Sequence, residues 1–157
     1  MPAELRLRIE GGPEVMAALA ARAEAVSVAS RRALSDSLML VHRKISLNLT
    51  GAVLRVQTGR LRQSMQTFVE GDGSRGVVGT NVEYARIHEF GGTIPAHEIR
   101  PRHAKALFFG GRFASSVKHP GATVPARPYM RPALQDSVSN IRRIFMSRLS
   151  AALKEKP

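Results

Sequence analysis

The chain has 157 residues, 43% of them hydrophobic, no cysteine and a net charge of +12. That length suits a single domain over residues 1–157, with a radius of gyration of about 15 Å and about 70% of its unfolded surface buried, so no disulfide or metal is required to hold it. Absent cysteine excludes disulfide frameworks and thiolate zinc sites and fits a reducing cytoplasm. No apolar run approaches a membrane span, and the N-terminus lacks the basic-then-apolar layout of an export signal. Asn48-Leu49-Thr50 matches a glycosylation sequon, but without an export signal the match is read as chance.

From Ala3 to Glu10 apolar and charged residues alternate, which predicts a half-buried strand ended by Gly11-Gly12. Pro13 suits the first turn of a helix. Val15, Leu19, Ala23, Val26, Leu34, Leu38, Val41 and Ile45 then recur at helical spacing up to about Leu49. A helix of that extent is about 50 Å long, more than a compact globule of this mass is wide. Either it breaks near Ser27–Ser30, or one end projects and packs on a neighbouring subunit. Gly51 to Gln57 reads as a loop, and Thr58 to Arg62 as a short turn or single helical turn. Met65 to Glu70 and Gly76 to Gly79 pair as strands through the Gly71-Asp72-Gly73-Ser74 turn.

Gly79 to Gly92 reads as a strand end, a turn at Asn81, two helical turns carrying Tyr84, Ile87 and His88, and a Gly91-Gly92 stop. Tyr84 and Ile87 are expected to pack inward, with one of the two glycines in a left-handed backbone. Residues 94–125 are punctuated by Pro95, Pro101 and Pro120 and read as an insertion. Within it, Gly110-Gly111 between apolar runs signals a two-residue hairpin that pairs Phe108 with Phe113. Such a ribbon is marginal by itself and must lie on the domain's sheet or on another subunit. A last helix is predicted from Arg131-Pro132 to about Lys154, with Leu134, Val138, Ile141, Phe145, Leu149 and Ala152 as its buried stripe. The fold class is therefore α+β: a small antiparallel sheet packed by a long N-terminal helix and a C-terminal helix, with a protruding β-hairpin insert.

Catalytic chemistry finds little support. His88-Glu89, His97-Glu98, His103 and His119 lack HExxH spacing, and no serine stands in a GxSxG context. No catalytic, metal or cofactor-binding residue is assigned, and no cofactor is expected. The charge is uneven: residues 1–92 carry twelve basic and nine acidic side chains, residues 93–157 twelve and three. A basic surface meets DNA, an acidic protein or solvent. Without a helix-turn-helix, an RNP signature or a stacking-aromatic pattern, an acidic protein partner is the better match.

Two segments carry a resemblance. Tyr84-Ala85 with Glu89-Phe90-Gly91-Gly92, followed by Pro125-Ala126-Arg127-Pro128-Tyr129-Met130-Arg131-Pro132-Ala133-Leu134, resembles the tail-completion, or head–tail joining, proteins of tailed bacteriophages, including the virion-morphogenesis proteins of contractile-tailed phages. Thr58, Gly59, Leu61 and Ser64 match a further step of that pattern. Ile99-Arg100-Pro101, Lys105 to Phe109 and His119-Pro120-Gly121 match an insert of its longer members. Tyr129 stands where the family more often has Phe. The resemblance is sharp over about a third of the chain. It implies a non-enzymatic virion protein assembled in the bacterial host cytoplasm. Its place would be the neck or proximal tail end, in a homo-oligomeric, hexameric ring around the DNA channel. The implied partners are adjacent neck and tail-terminator or tail-tube proteins, with packaged DNA passing through unread and no membrane involved. Tyr84, Glu89, Phe90, Gly91, Gly92, Arg127, Pro128, Tyr129, Arg131 and Pro132 are the expected structural or interface residues. A basic nucleic-acid-binding module and a small hydrolase remain the alternatives.

Overall fold

The computed structural model describes residues 12–154 apart from 72 and 103. The strand predicted over residues 3–10 lies outside the described residues. The described chain is α+β, and its contacts divide it into two compact units. The first takes residues 12–44, 65–79 and 134–154; the second takes 45–64 and 80–133.

Helix α1 (Gly12–Leu47) opens on Gly12-Pro13 and runs 36 residues without interruption, so the alternative of a break near Ser27–Ser30 is excluded. At 1.5 Å per residue it is about 54 Å long. Its buried positions are Ala29, Ala33, Ser37, Val41 and Ile45, one every four residues, joined by Leu38, and Leu49 just past its end continues the line. The line starts with small side chains and ends with large ones. Ser37 is tolerated inside because its hydroxyl donates to the Ala33 carbonyl at 2.7 Å. The earlier part of the predicted stripe is not buried: Val15 and Leu19 stand 59% and 57% exposed. Helical spacing marks a face that can be buried, and no described residue covers this one.

In the first unit, β1 (Gln66–Val69) and β2 (Gly76–Gly79) form the expected hairpin, in register from Gln66↔Gly79 to Val69↔Gly76. His42 reaches the Met65 carbonyl at 3.3 Å, tying α1 to the start of β1. Gly76 lets β2 lie close against α1, because a Cβ there would stand 2.7 Å from Leu38 Cδ1.

The predicted C-terminal helix is two helices, α4 (Met130–Gln135) and α5 (Val138–Lys154). Between them Ser137 is fully buried. Its N–H donates to the Leu134 carbonyl at 3.0 Å, and its carbonyl accepts from Ile141 at 2.8 Å. Serine at the residue before a helix is a favoured start. The break moves the buried face off the predicted stripe: Leu134 and Val138 are exposed, while Ala133 and Ser137 are buried. Ile141, Phe145, Leu149 and Ala152, expected to be buried, are half-buried. Arg148 donates twice to Asp36 Oδ2, at 2.6 and 3.0 Å, and Lys44 donates to the Asp136 carbonyl at 2.8 Å. Exposed pairs of this kind contribute about 0–1 kcal/mol each.

In the second unit α1 ends in a widened turn over Asn48–Ala52, where Val53 and Leu54 both donate to the Asn48 carbonyl. The single-turn α2 (Arg60–Gln63) and α3 (Ala85–Phe90) follow. Residues 92–124 then form three nested antiparallel pairs. β3 (Gly92–Ile94) pairs with β8 (Ala122–Val124), β4 (His97–Ile99) with β7 (Val117–His119), and β5 (Leu107–Phe109) with β6 (Arg112–Ala114). The first two pairs share one register, interrupted where Pro95 and Pro120 cannot donate to a ladder. The third is displaced from it, because the chain between β4 and β5 is longer than the Ser115-Ser116 link between β6 and β7. The insertion, predicted to carry one hairpin at its tip, is thus a jointed hairpin arm along its whole length. Its tip turns at Gly110-Gly111, both at positive φ, and Phe108 meets Phe113 across it with centroids 5.2 Å apart.

Gly76 and Gly79 point to opposite faces of β2 and provide an internal comparison. Gly76→Val is expected to lower stability by about 1–3 kcal/mol through overpacking on Leu38. Gly79→Ala, where a Cβ meets nothing within 4 Å, should stay within about 0.5 kcal/mol of the parent. Urea midpoints of the two variants check this, and equal losses would show that β2 does not lie on α1 as described.

Candidate functional site

The two motif segments meet within the second unit, and each completes the other's hydrogen bonding. Ala85 and Glu89 form the buried face of α3, and Val82 in the turn before it is buried with them. A buried carboxylate needs partners. Glu89 has three: Oε2 accepts from the Tyr129 and Met130 N–H groups at 2.8 and 2.9 Å, and Oε1 from Arg131 at 2.9 Å. These are the first donors of α4, which a helix cannot satisfy internally. The next residue, Pro132, has no N–H to satisfy. The negative charge also suits the positive end of the helix.

The return contact runs the other way. Arg127 N–H donates to the His88 carbonyl at 2.8 Å, capping the end of α3. Asn48, from the end of α1, donates to the Tyr129 carbonyl at 2.9 Å. Gly91 makes the closeness possible. Its φ is +70°, and a Cβ there would lie 2.8 Å from Ala126 N and 3.0 Å from Val124 O, both backbone atoms that cannot move aside. Gly92 is also at positive φ and opens β3. The expected glycine stop is present, in both residues.

The remaining motif residues divide into buried and exposed. Tyr129 is fully buried, and among the described residues its hydroxyl has no hydrogen-bond partner. Burial first, then the Glu89 charge and then Tyr84, push its pKa up to about 12. Arg127, Pro128 and Arg131 are exposed, Pro132 is half-buried, and Phe90 is exposed with the Arg131 guanidinium 6.0 Å above its ring. The inward packing expected for Tyr84 is not found. It is 40% exposed and meets His88 edge-on at 5.9 Å, while Ile87 is half-buried. The chain turns at Thr80–Tyr84 so that Val82 and Ala85, not Tyr84, face the interior. Ser64 is bonded to Thr80 at 2.6 Å and to the Leu61 carbonyl at 2.8 Å, which ties α2 to that turn.

Among the described histidines only His97 and His119 have rings in contact with each other. His97 and His119 face each other across β4 and β7, stacked at 4.9 Å, and His103 lies outside the described residues. Among the described residues no three His, Asp or Glu side chains are grouped to hold a metal ion. No described helix is long and apolar enough to cross a membrane.

A family model described as the phage virion morphogenesis family matches residues 33–150, which include both halves of this junction. The chain belongs to that family. A search of curated proteins and a search of solved structures returned no match. Membership makes this a phage structural and assembly protein, associated with the virion. The match covers the buried half of α1 and stops short of its exposed beginning.

Two substitutions test the junction. Glu89→Gln keeps the shape but sets an amide N–H₂ against a backbone donor, and should cost about 2–4 kcal/mol in a urea titration; a loss below about 0.5 kcal/mol would show that the carboxylate does not hold α4. Tyr129→Phe removes an unpartnered buried hydroxyl and should stabilise the fold at neutral pH. The parent's Tyr129 keeps its proton when folded and loses it when unfolded between pH 10 and about 12. The parent should therefore lose stability over that window, and the Phe variant should lack that component of the loss. Superimposable alkaline melting profiles of the two proteins would contradict the burial of this phenol.

Proposed function

We propose that this phage virion morphogenesis protein is a ring-forming subunit that completes the tail end and joins it to the head. The observation that carries this reading is the family match over residues 33–150, which contains the joined motif segments. Apolar surface that no described residue covers supports an assembled state. Val15, Met16 and Leu19 lie exposed on α1, and Phe108 and Phe113 stand 68% and 79% exposed at the arm tip. Exposed groups of this kind are characteristic of surfaces that meet another protein.

The partners proposed are further copies of the chain in a closed hexameric ring and the neighbouring neck and tail-terminator or tail-tube proteins. Packaged DNA passes through the ring without sequence-specific contact. The exposed Arg127, Arg131 and Arg142 are assigned to protein neighbours, where guanidinium forks pair with carboxylates. A strongly attractive lumen would oppose DNA movement, since each phosphate contact adds affinity.

Particles from a phage lacking this protein should appear in electron micrographs as filled heads and separate tails. Arg127→Ala or Arg131→Ala should reproduce that separation with packaging intact. Normal joining with slow DNA ejection in those variants would point the arginines at DNA instead. A virion reconstruction with a single copy, or with copies off the tail axis, would refute the ring.

A further inference from the structure

A concavity in the second unit is not used by the motif junction. It has a volume of about 130 Å³ and lies between the end of α1, α2 and the start of α3. Leu49, Leu54 and Leu61 supply an apolar floor, and Tyr84 supplies a wall. Arg55, Arg60 and Arg62 stand around it, all exposed. Among the described residues none of these guanidiniums has an ion pair or hydrogen bond. No Asp or Glu lines the concavity.

Size and charge together restrict the occupant. An apolar cavity of roughly 150 Å³ takes a benzene molecule, so this one fits a single aromatic or branched aliphatic side chain. Three unpaired guanidiniums at the rim call for carboxylates, which they bind through fork geometry. A second copy's arm tip has suitable rings, but Arg112 beside Phe113 and Lys105 near Phe108 bring the wrong charge. The walls are set in advance by the Ser64–Thr80 bond and by Gln63 N–H donating to the Gly59 carbonyl at 2.9 Å. The backbone of the walls is then ordered before binding, and only the arginine side chains remain to be fixed. Tyr84, turned outward by the chain entering α3 and 40% exposed, offers its ring as a contact surface.

We propose that this concavity is a socket for an acidic peptide segment of a partner protein, seated by one apolar side chain and held at the rim by Arg55, Arg60 and Arg62. The proposal rests on the reading of the chain as a joining protein, since the segment would belong to a virion neighbour.

The test uses the full chain and a fluorescein-labelled peptide with one Phe flanked by two Asp on each side. Fluorescence anisotropy should show saturable binding that weakens as salt rises. Replacing the peptide's Phe by Gly, or making the Tyr84→Ala variant, should each weaken binding about tenfold. The Arg60→Glu, Arg62→Glu double variant should weaken it further, with an unchanged circular dichroism spectrum showing that it folds. Equal binding of the Gly peptide would reduce the site to non-specific charge attraction and overturn the socket. So would no binding at millimolar peptide, or a duplex DNA oligonucleotide that binds more tightly and displaces the peptide. Ring formation seen by microscopy is independent of these outcomes, so failure of the socket leaves the joining role standing.

Discussion

The Glu89 carboxylate is the constraint on which the second unit depends. It accepts three backbone N–H groups at the start of α4 from forty or more residues away in sequence. A buried charge is costly alone, and so are helix-start donors left without partners; each resolves the other's cost. The Arg127–His88 bond caps the opposite helix end, and Gly91 admits backbone where any side chain would collide. Glu89, Gly91, Tyr129 and Pro132 therefore serve folding before anything else. Arg127 and Arg131 give their backbone N–H groups to these bonds, while their side chains, like that of Tyr84, remain at the surface.

That division bears on assembly. The first half of α1 and the tip of the arm both carry apolar side chains that the described chain does not cover. In the arm, the prolines at 95 and 120 interrupt the ladder at one level, and the register shift at residues 100–106 interrupts it again. Short, interrupted pairs resist edge-to-edge association, while a two-residue glycine turn still fixes which side chains sit at the tip. The aromatic pair is thus presented on a defined turn at the end of a jointed ribbon.

The charge distribution is less simple than the composition implies. The excess of basic residues falls after residue 92, but part of it is engaged locally: Arg100 pairs with Glu98, Arg143 with Asn140 and Arg148 with Asp36. The unpaired guanidiniums gathered at one concavity come from residues 55–62, in the less basic part of the chain. Counting charge along a sequence finds the excess, but it does not find where cations lack partners.

The sequence by itself determined the local elements. The 3.6-residue period marked α1, the glycine turns marked the 66–79 hairpin and the arm tip, and Gly91-Gly92 marked the end of α3. Each depends on neighbours a few residues apart, where backbone sterics and side-chain spacing decide the outcome. The motif segments also carried the family resemblance directly. Burial and pairing were decided by the tertiary structure. Val15 and Leu19 have the spacing of core residues yet remain exposed, while Ser137 and Glu89 are polar yet buried. The predicted single C-terminal helix divides at Ser137, and Tyr84 turns outward because the chain entering α3 is held by Thr80 and Ser64. Periodicity reports which face could be buried. Whether it is buried depends on which distant segment arrives to cover it, and whether a buried polar group is tolerated depends on the donors that segment brings.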